Sequence, residues 1–263
     1  MRFSIRIEKA SRVGAFFVCV LLSLQAQALC SSTQALRQVA VERVVDGDTL
    51  RLVDGRRVRL IGLNAPELAH NGRRAEPYAR AAKARLQALV DRNGGRVGLR
   101  PGAQTRDHYG RLLAHAFDAR GDNLEAAMLA EGLGFFVALA PNTALADCHL
   151  AVERQARRAG SGLWKQSPVL DAARMRHSGF ALVRARVERV ETNRGGVWLE
   201  LQGPLVIQIP AAAAAAFGTA LVDLPGRTIE ARGWIIDRKG RVAARQARWL
   251  LKLTHPSMLA LAP

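Results

Sequence analysis

Between Gln38 and Leu63 the chain contains VERVVDG, DTLRLVDG and RRVRLIGL. These three short runs alternate apolar with charged residues and break at Gly-Asp and Asp-Gly. Alternation with period two puts every second side chain on one face, the pattern of a half-buried strand. Asp-Gly is a turn signal, so the region predicts three short strands joined by tight turns. Few other arrangements are open to a segment so patterned.

The next stretches fit a β framework carrying helices. Glu76–Arg92 places Tyr78, Ala82, Leu86 and Leu89 on one side and Arg/Lys on the other, which predicts a helix. Arg96–Arg100 and Leu112–Ala119 predict strands, Asn123–Glu131 a helix stopped at Gly132, and Ala144–Arg158 a helix ended by Gly160-Ser161-Gly162. Together these describe a small five-stranded barrel with three helices outside, and Trp164 is expected to plug its base. A polar connector containing Pro168 follows. Phe180–Glu191, Val197–Leu201 and Leu205–Ile209 then predict three strands, and the alanine run Ala211–Ala216 predicts a helix. Thr228–Ile236 and Val242–Leu253 predict two more strands. Three strands, a helix and two strands is the order of an OB barrel, so the fold class is mainly β, with a second, smaller OB-like barrel after the first.

Charge adds a functional constraint. The formal net charge is +17, with 34 Arg against 5 Lys. Arginine's planar fork binds phosphate through two parallel hydrogen bonds, which points to a polyanionic partner; an arginine-rich but merely solvated surface is the alternative. At the N-terminus, Arg2, Arg6, Lys9 and Arg12 precede the apolar run Val13–Leu24, and Ala26-Gln27-Ala28 fits a cleavage site. That run is short of the roughly 20 residues needed to span a bilayer, so an export signal is expected over residues 1–28. The chain left after its removal keeps a net charge of +14 and only Cys30 and Cys148. In an oxidising compartment two cysteines favour one disulfide, with two free thiols as the other outcome.

The residues able to carry chemistry lie in two motifs. Val44–Glu67 packs Asp46 and Asp48 into one turn with Thr49, then delivers Arg59 from a strand and Glu67 just after Pro66. Arg106-Asp107-His108-Tyr109-Gly110-Arg111 adds a second arginine in a Gly-marked turn. Carboxylates can hold a hard cation, an isolated glutamate can serve as base, and arginines stabilise the charge that builds on phosphate oxygens. Each feature alone also reads as a hairpin turn or a surface ion pair. No chemistry is assigned to His70, His108 or His149, expected to be solvated or capping.

The motifs VVDGDT, RVRLIGLNAPE, RDHYGR and AVERQARRAGSGLW, in this order, resemble the staphylococcal-nuclease-like (thermonuclease) family over roughly Val41 to Trp164. The resemblance implies a calcium-dependent nuclease acting on DNA and RNA, built on a five-stranded OB barrel with three helices. It implies that Asp48 ligates calcium with Asp46 nearby, and that Thr49 helps hold the loop and, with Tyr109, the substrate. Arg59 and Arg111 would grip the scissile phosphate, and Glu67 would orient or deprotonate the attacking water. Two departures stand out. Asn64 replaces a second ligating aspartate; with the carbonyl of Ala65 it can still coordinate, but one charge is lost, so another divalent metal becomes possible. Val137-Ala138-Leu139-Ala140 replaces base-stacking tyrosines.

The expected domains are a signal peptide at 1–28, the nuclease-like domain at 29–168, a linker at 169–178, the OB-like domain at 179–256 and a tail at 257–263. Trp198, Trp234 and Trp249, with Arg232, Arg245 and Arg248 near them in sequence, form either a face for a single strand or simply barrel core. The expected protein is a periplasmic or secreted monomeric endonuclease, with no membrane span after signal removal and no protein partner. The runner-up is a catalytically weak or inactive nucleic-acid-binding protein of the cell envelope.

Overall fold

The computed structural model describes residues 30–69, 72, 74–240 and 246–262. The expected signal peptide, along with His70 and Arg245, lies outside the described residues.

The three alternating runs form β1 (Gln38–Asp46), β2 (Thr49–Leu52) and β3 (Arg57–Leu60). Leu50, Leu52, Val58 and Leu60 turn inward and are buried, leaving Arg51, Arg57 and Arg59 on the outside. After the two-residue strand β4 (Leu63–Asn64) comes helix α1 (Ala79–Arg92), which buries Ala79, Ala82, Leu86 and Val90. It starts three residues later than the pattern predicts because Pro77 precedes Tyr78, whose backbone is left-handed at φ 66°. Strands β5 (Arg96–Arg106) and β6 (Leu112–Phe117) complete a closed barrel of order β1-β2-β3-β6-β5, with β3 and β6 parallel. Helix α2 (Leu124–Ala130), strand β7 (Phe135–Phe136) and helix α3 (Ala146–Arg158) follow. Trp164 is buried, but in a small separate cluster with Ala156 of α3 and Leu182 of the second barrel rather than as a plug of the first.

The connector is not featureless. Residues Val169–Asp171 form β8, and Ala172 and Met175 are buried. Strands β9 (Gly179–Asn193), β10 (Gly196–Leu201) and β11 (Leu205–Pro210), helix α4 (Ala211–Phe217), and strands β12 (Thr228–Asp237) and β13 (Trp249–Lys252) come next. Because β9 pairs with both β10 and β12, these five strands also close into a ring, again with the third and fifth parallel. The expected last strand, Val242–Leu253, starts outside the described residues over 242–245, and within them it begins only at Trp249. Strand β8 extends the ring along β9, and β14 (Leu259–Leu261), in the expected tail, extends it along β12.

Polar and apolar links join the barrels. Glu153 of α3 accepts from the Phe136 backbone N–H at 2.7 Å and pairs with Arg232 of β12. Arg157 of α3 and Arg184 of β9 both engage Glu230. The Ala138 N–H points at Met258 Sδ at 3.1 Å, so Val137 and Ala138 are covered.

Candidate active site

The turn from β1 to β2 is a capped two-residue turn. The Asp48 N–H donates to Asp46 Oδ1 at 3.1 Å, the local bond that makes aspartate a turn former. Gly47 is required there by close approach. A Cβ at this position would lie 2.6 Å from the Ala65 Cβ and 2.7 Å from the Ala82 Cβ on α1. The turn is thereby pressed against the segment carrying Asn64, Ala65 and Glu67.

Asp48 is buried and fully engaged. Its Oδ1 accepts from the Thr49 hydroxyl at 3.0 Å, and its Oδ2 accepts from the Ala65 N–H at 2.8 Å. Arg59 lies 2.6 Å from the same Oδ2, with only 14% of its side chain exposed. Arg59 also donates to the Leu63 carbonyl at 2.9 Å and to Asn64 Oδ1 at 3.1 Å. Burial pushes the Asp48 carboxyl up to about 7; Arg59 pulls it down and Asp46 adds a further push. Thr49 is buried and its hydroxyl donates to Asp48, a contact that holds the loop.

Glu67 stands exposed at the rim. Its N–H donates to Glu76 Oε2 at 3.0 Å, and its carbonyl accepts from the Glu76 N–H at 2.9 Å. Partial desolvation raises its pKa, Asp46 and Glu76 raise it further, and Arg59 and Arg111 lower it. By themselves, two nearby arginines would keep this acid low. The structure reverses that sign, because burial and two like charges outweigh them.

Arg111 is bracketed by its own loop. Its Nε donates to Asp107 Oδ2 at 2.7 Å and its backbone N–H to Oδ1 at 2.9 Å, while its guanidinium sits 5.4 Å from the Tyr109 ring centre. Tyr109 is 73% exposed and free to meet a ligand. Asp107 and Glu76 are site neighbours that sequence reasoning missed. The four-residue spacing of Asp107 and Arg111 is the signal for the first, and Glu76 leaves none.

Asp46, Asp48, Arg59, Asn64, Ala65 and Glu67 therefore form one continuous neighbourhood, whose electrostatics extend to Arg111. Its donors are all oxygen, the set a hard cation takes. No cluster of three or more His, Cys, Asp or Glu suited to a metal occurs among the described residues. Two carboxylates, one of them buried, leave negative charge that a cation would relieve; the Arg59 guanidinium meets part of that demand here.

Comparisons with known proteins bear on the family. Residues 57–166 match the family model described as staphylococcal nuclease homologue. The chain is 32% identical to the thermonuclease of Staphylococcus intermedius over 130 residues, 48% of this chain and 75% of that protein. This chain belongs to the staphylococcal nuclease family. It is likewise 32% identical over 131 residues to an uncharacterized endonuclease of Escherichia coli O157:H7, covering 76% of it. It is 24% identical over 176 residues to endonuclease YhcR of Bacillus subtilis, of which it spans only 14%. The family match ends at residue 166, before the second barrel.

A buried polar cluster lies behind the site of this family member. His149, expected to be solvated or capping, is fully buried, with Nε2 2.9 Å from Asn123 Oδ1 and its ring edge-on to His115. Gly62, at φ +85°, packs against it so closely that any Cβ would overlap the imidazole. Burial lowers the His149 pKa to about 3, helped by His115 and Arg100. A histidine depressed in this way stabilises the fold fully above the unfolded value of 6.5. That contribution is lost as pH falls from 6.5 toward 3. Urea unfolding between these limits should show a loss on the order of a few kcal/mol, and His149→Gln should flatten the slope. An unchanged slope in the variant would exclude His149 as the source.

Proposed function

We propose that this protein is an exported, metal-dependent nuclease that hydrolyses phosphodiester bonds in DNA and RNA, with Glu67 as base and Arg59 and Arg111 on the phosphate. The observation that carries the reading is the placement of Glu67. A rim carboxylate within electrostatic reach of Arg59, Arg111 and Asp46 suits the proton acceptor that a water attacking a bound phosphate needs. The raised pKa suits that role, since a base is most effective when its pKa approaches the working pH.

Asp48 and Asp46, with the amide oxygen of Asn64 and the carbonyl of Ala65, would hold the cation, calcium by family resemblance. When bound, it supplies positive charge beside a phosphate oxygen. Arg59 and Arg111 add fixed donors to oxygens that gain charge as attack proceeds, which favours the transition state over the ground state. Tyr109 offers an exposed ring beside Arg111. Asn64 in place of a carboxylate weakens metal affinity relative to a three-carboxylate set.

Export is supported by the basic-then-apolar N-terminus and by the Cys30–Cys148 disulfide, a bond that persists in oxidising compartments. No helix among the described residues is long and apolar enough to cross a membrane. One observation favours the second reading, a weak or inactive binder: Arg59 is held by Asp48 and Asn64, and Arg111 by Asp107.

The deciding experiment incubates the protein with single- and double-stranded DNA and RNA in calcium, magnesium, manganese or chelator. Cleavage with metal that stops in chelator is the expected result. Salt-sensitive binding without cleavage in every metal would establish the binder instead. Undiminished cleavage in chelator would refute the metal dependence.

A further inference from the structure

A row of aromatic rings leads from the candidate active site onto the second barrel. Phe135 stands opposite Asn64 in the β4–β7 ribbon, so the two side chains share a face. The Phe135 ring stacks on Phe180 of β9 at 5.6 Å, and Phe180 meets Trp234 of β12 edge-on at 5.2 Å. Phe180 and Trp234 are direct partners across the β9–β12 ladder. Phe135 and Phe180 are half-buried, whereas Trp234 keeps 38% of its surface exposed, and Ile236, next on that face, is also exposed. Lys252, exposed at the end of β13, lies one position beyond the Ile235–Leu251 pair and so flanks Trp234 across the sheet.

The other described candidates on this barrel are used internally. Trp249 is buried, and Trp198 is half-buried with its Nε1 on Asn193. Arg184, Arg189, Arg232 and Arg248 are paired with Glu230, Glu200, Glu153 and Asp237. Among the described residues, the aromatic-and-cation face considered from the sequence therefore narrows to Trp234, with Lys252 beside it.

We propose that Trp234, backed by Phe180, is a stacking platform for an unpaired base of the strand whose phosphate lies at Arg59 and Arg111. This rests on the nuclease reading above. Every base presents a π face, so an aromatic platform retains a strand without reading its sequence. Lys252 suits the adjacent phosphate, and the protein's net positive charge draws the polyanion in.

The test uses the disulfide-bonded protein in chelator and a fluorescently labelled single-stranded oligodeoxynucleotide, with binding read by anisotropy. Trp234→Ala should weaken binding roughly 5- to 150-fold, the range for losing one stacked base, and Trp234→Phe should recover most of it. Abasic sites walked along the oligonucleotide should reveal one position whose loss weakens the parent but not Trp234→Ala. If Trp234→Ala fails to melt cooperatively, Trp234→Leu takes its place in the same cycle. Affinity unchanged by the substitution, no coupled abasic position, or no binding by the parent overturns the proposal. Cleavage plays no part in this readout, so a protein that stacks a base yet never cuts would refute the nuclease reading separately.

Discussion

Arg59→Ala is expected to slow phosphodiester hydrolysis by at least the 10²–10³-fold typical of losing one transition-state donor, on the order of magnitude seen for oxyanion-type sites. It should also destabilise the fold. Arg59 and Asp48 form a pair with 14% and 7% side-chain exposure, and removing one partner leaves a buried carboxylate uncompensated. Such losses run to roughly 3–5 kcal/mol. The two effects separate in the double variant Arg59→Ala/Asp48→Asn, which removes the orphaned charge and should regain stability without regaining rate. Glu67→Gln should behave differently. Its side chain is exposed, so rate should fall steeply while the melting temperature hardly moves. Parent-like rates in both Arg59→Ala and Glu67→Gln, measured with saturating metal, would sink the assignment.

The largest effect on stability is expected from the Cys30–Cys148 disulfide, which joins residues 118 apart. Closing a loop of that length removes unfolded-state entropy equivalent to about 5 kcal/mol in the chain-entropy account. For a protein of this size such a loss lowers the melting temperature by roughly 10–20 °C. Cys148 lies on α3 one residue before the buried His149, so the bond ties the start of the described chain to the helix packed behind the site. Thermal unfolding of the paired variant Cys30→Ser/Cys148→Ser against the parent measures the effect. A shift of only a degree or two would mean that the unfolded chain is already compact or that other contacts hold the N-terminus.

Several expectations from sequence agree with the structure because their causes are local. Leu50, Leu52, Val58 and Leu60 alternate with arginines, and alternation alone places them inside a strand-built core. Asp46-Gly47-Asp48-Thr49 turns where it does because aspartate bonds its own backbone and Gly47 leaves room for Ala65 and Ala82. The strand-strand-strand-helix-strand-strand order of the second half is likewise present. The departures have specific causes as well. Tyr78 delays α1, and the expected connector becomes β8 because β9 offers it an edge.

What the sequence determined by itself is therefore the pair of closed barrels and the residue types from which the proposed chemistry is drawn, since periodicity, turn chemistry and residue type act over a few positions. Only the tertiary structure decided the state of those residues. Arg59 lies on Asp48 and Asn64, Arg111 on Asp107, the Glu67 carboxyl is pushed up where two arginines suggest the opposite, and His149 is sealed beneath Gly62. Solvent exclusion and charge proximity depend on segments far apart in the chain, and no local pattern encodes the sum of their fields.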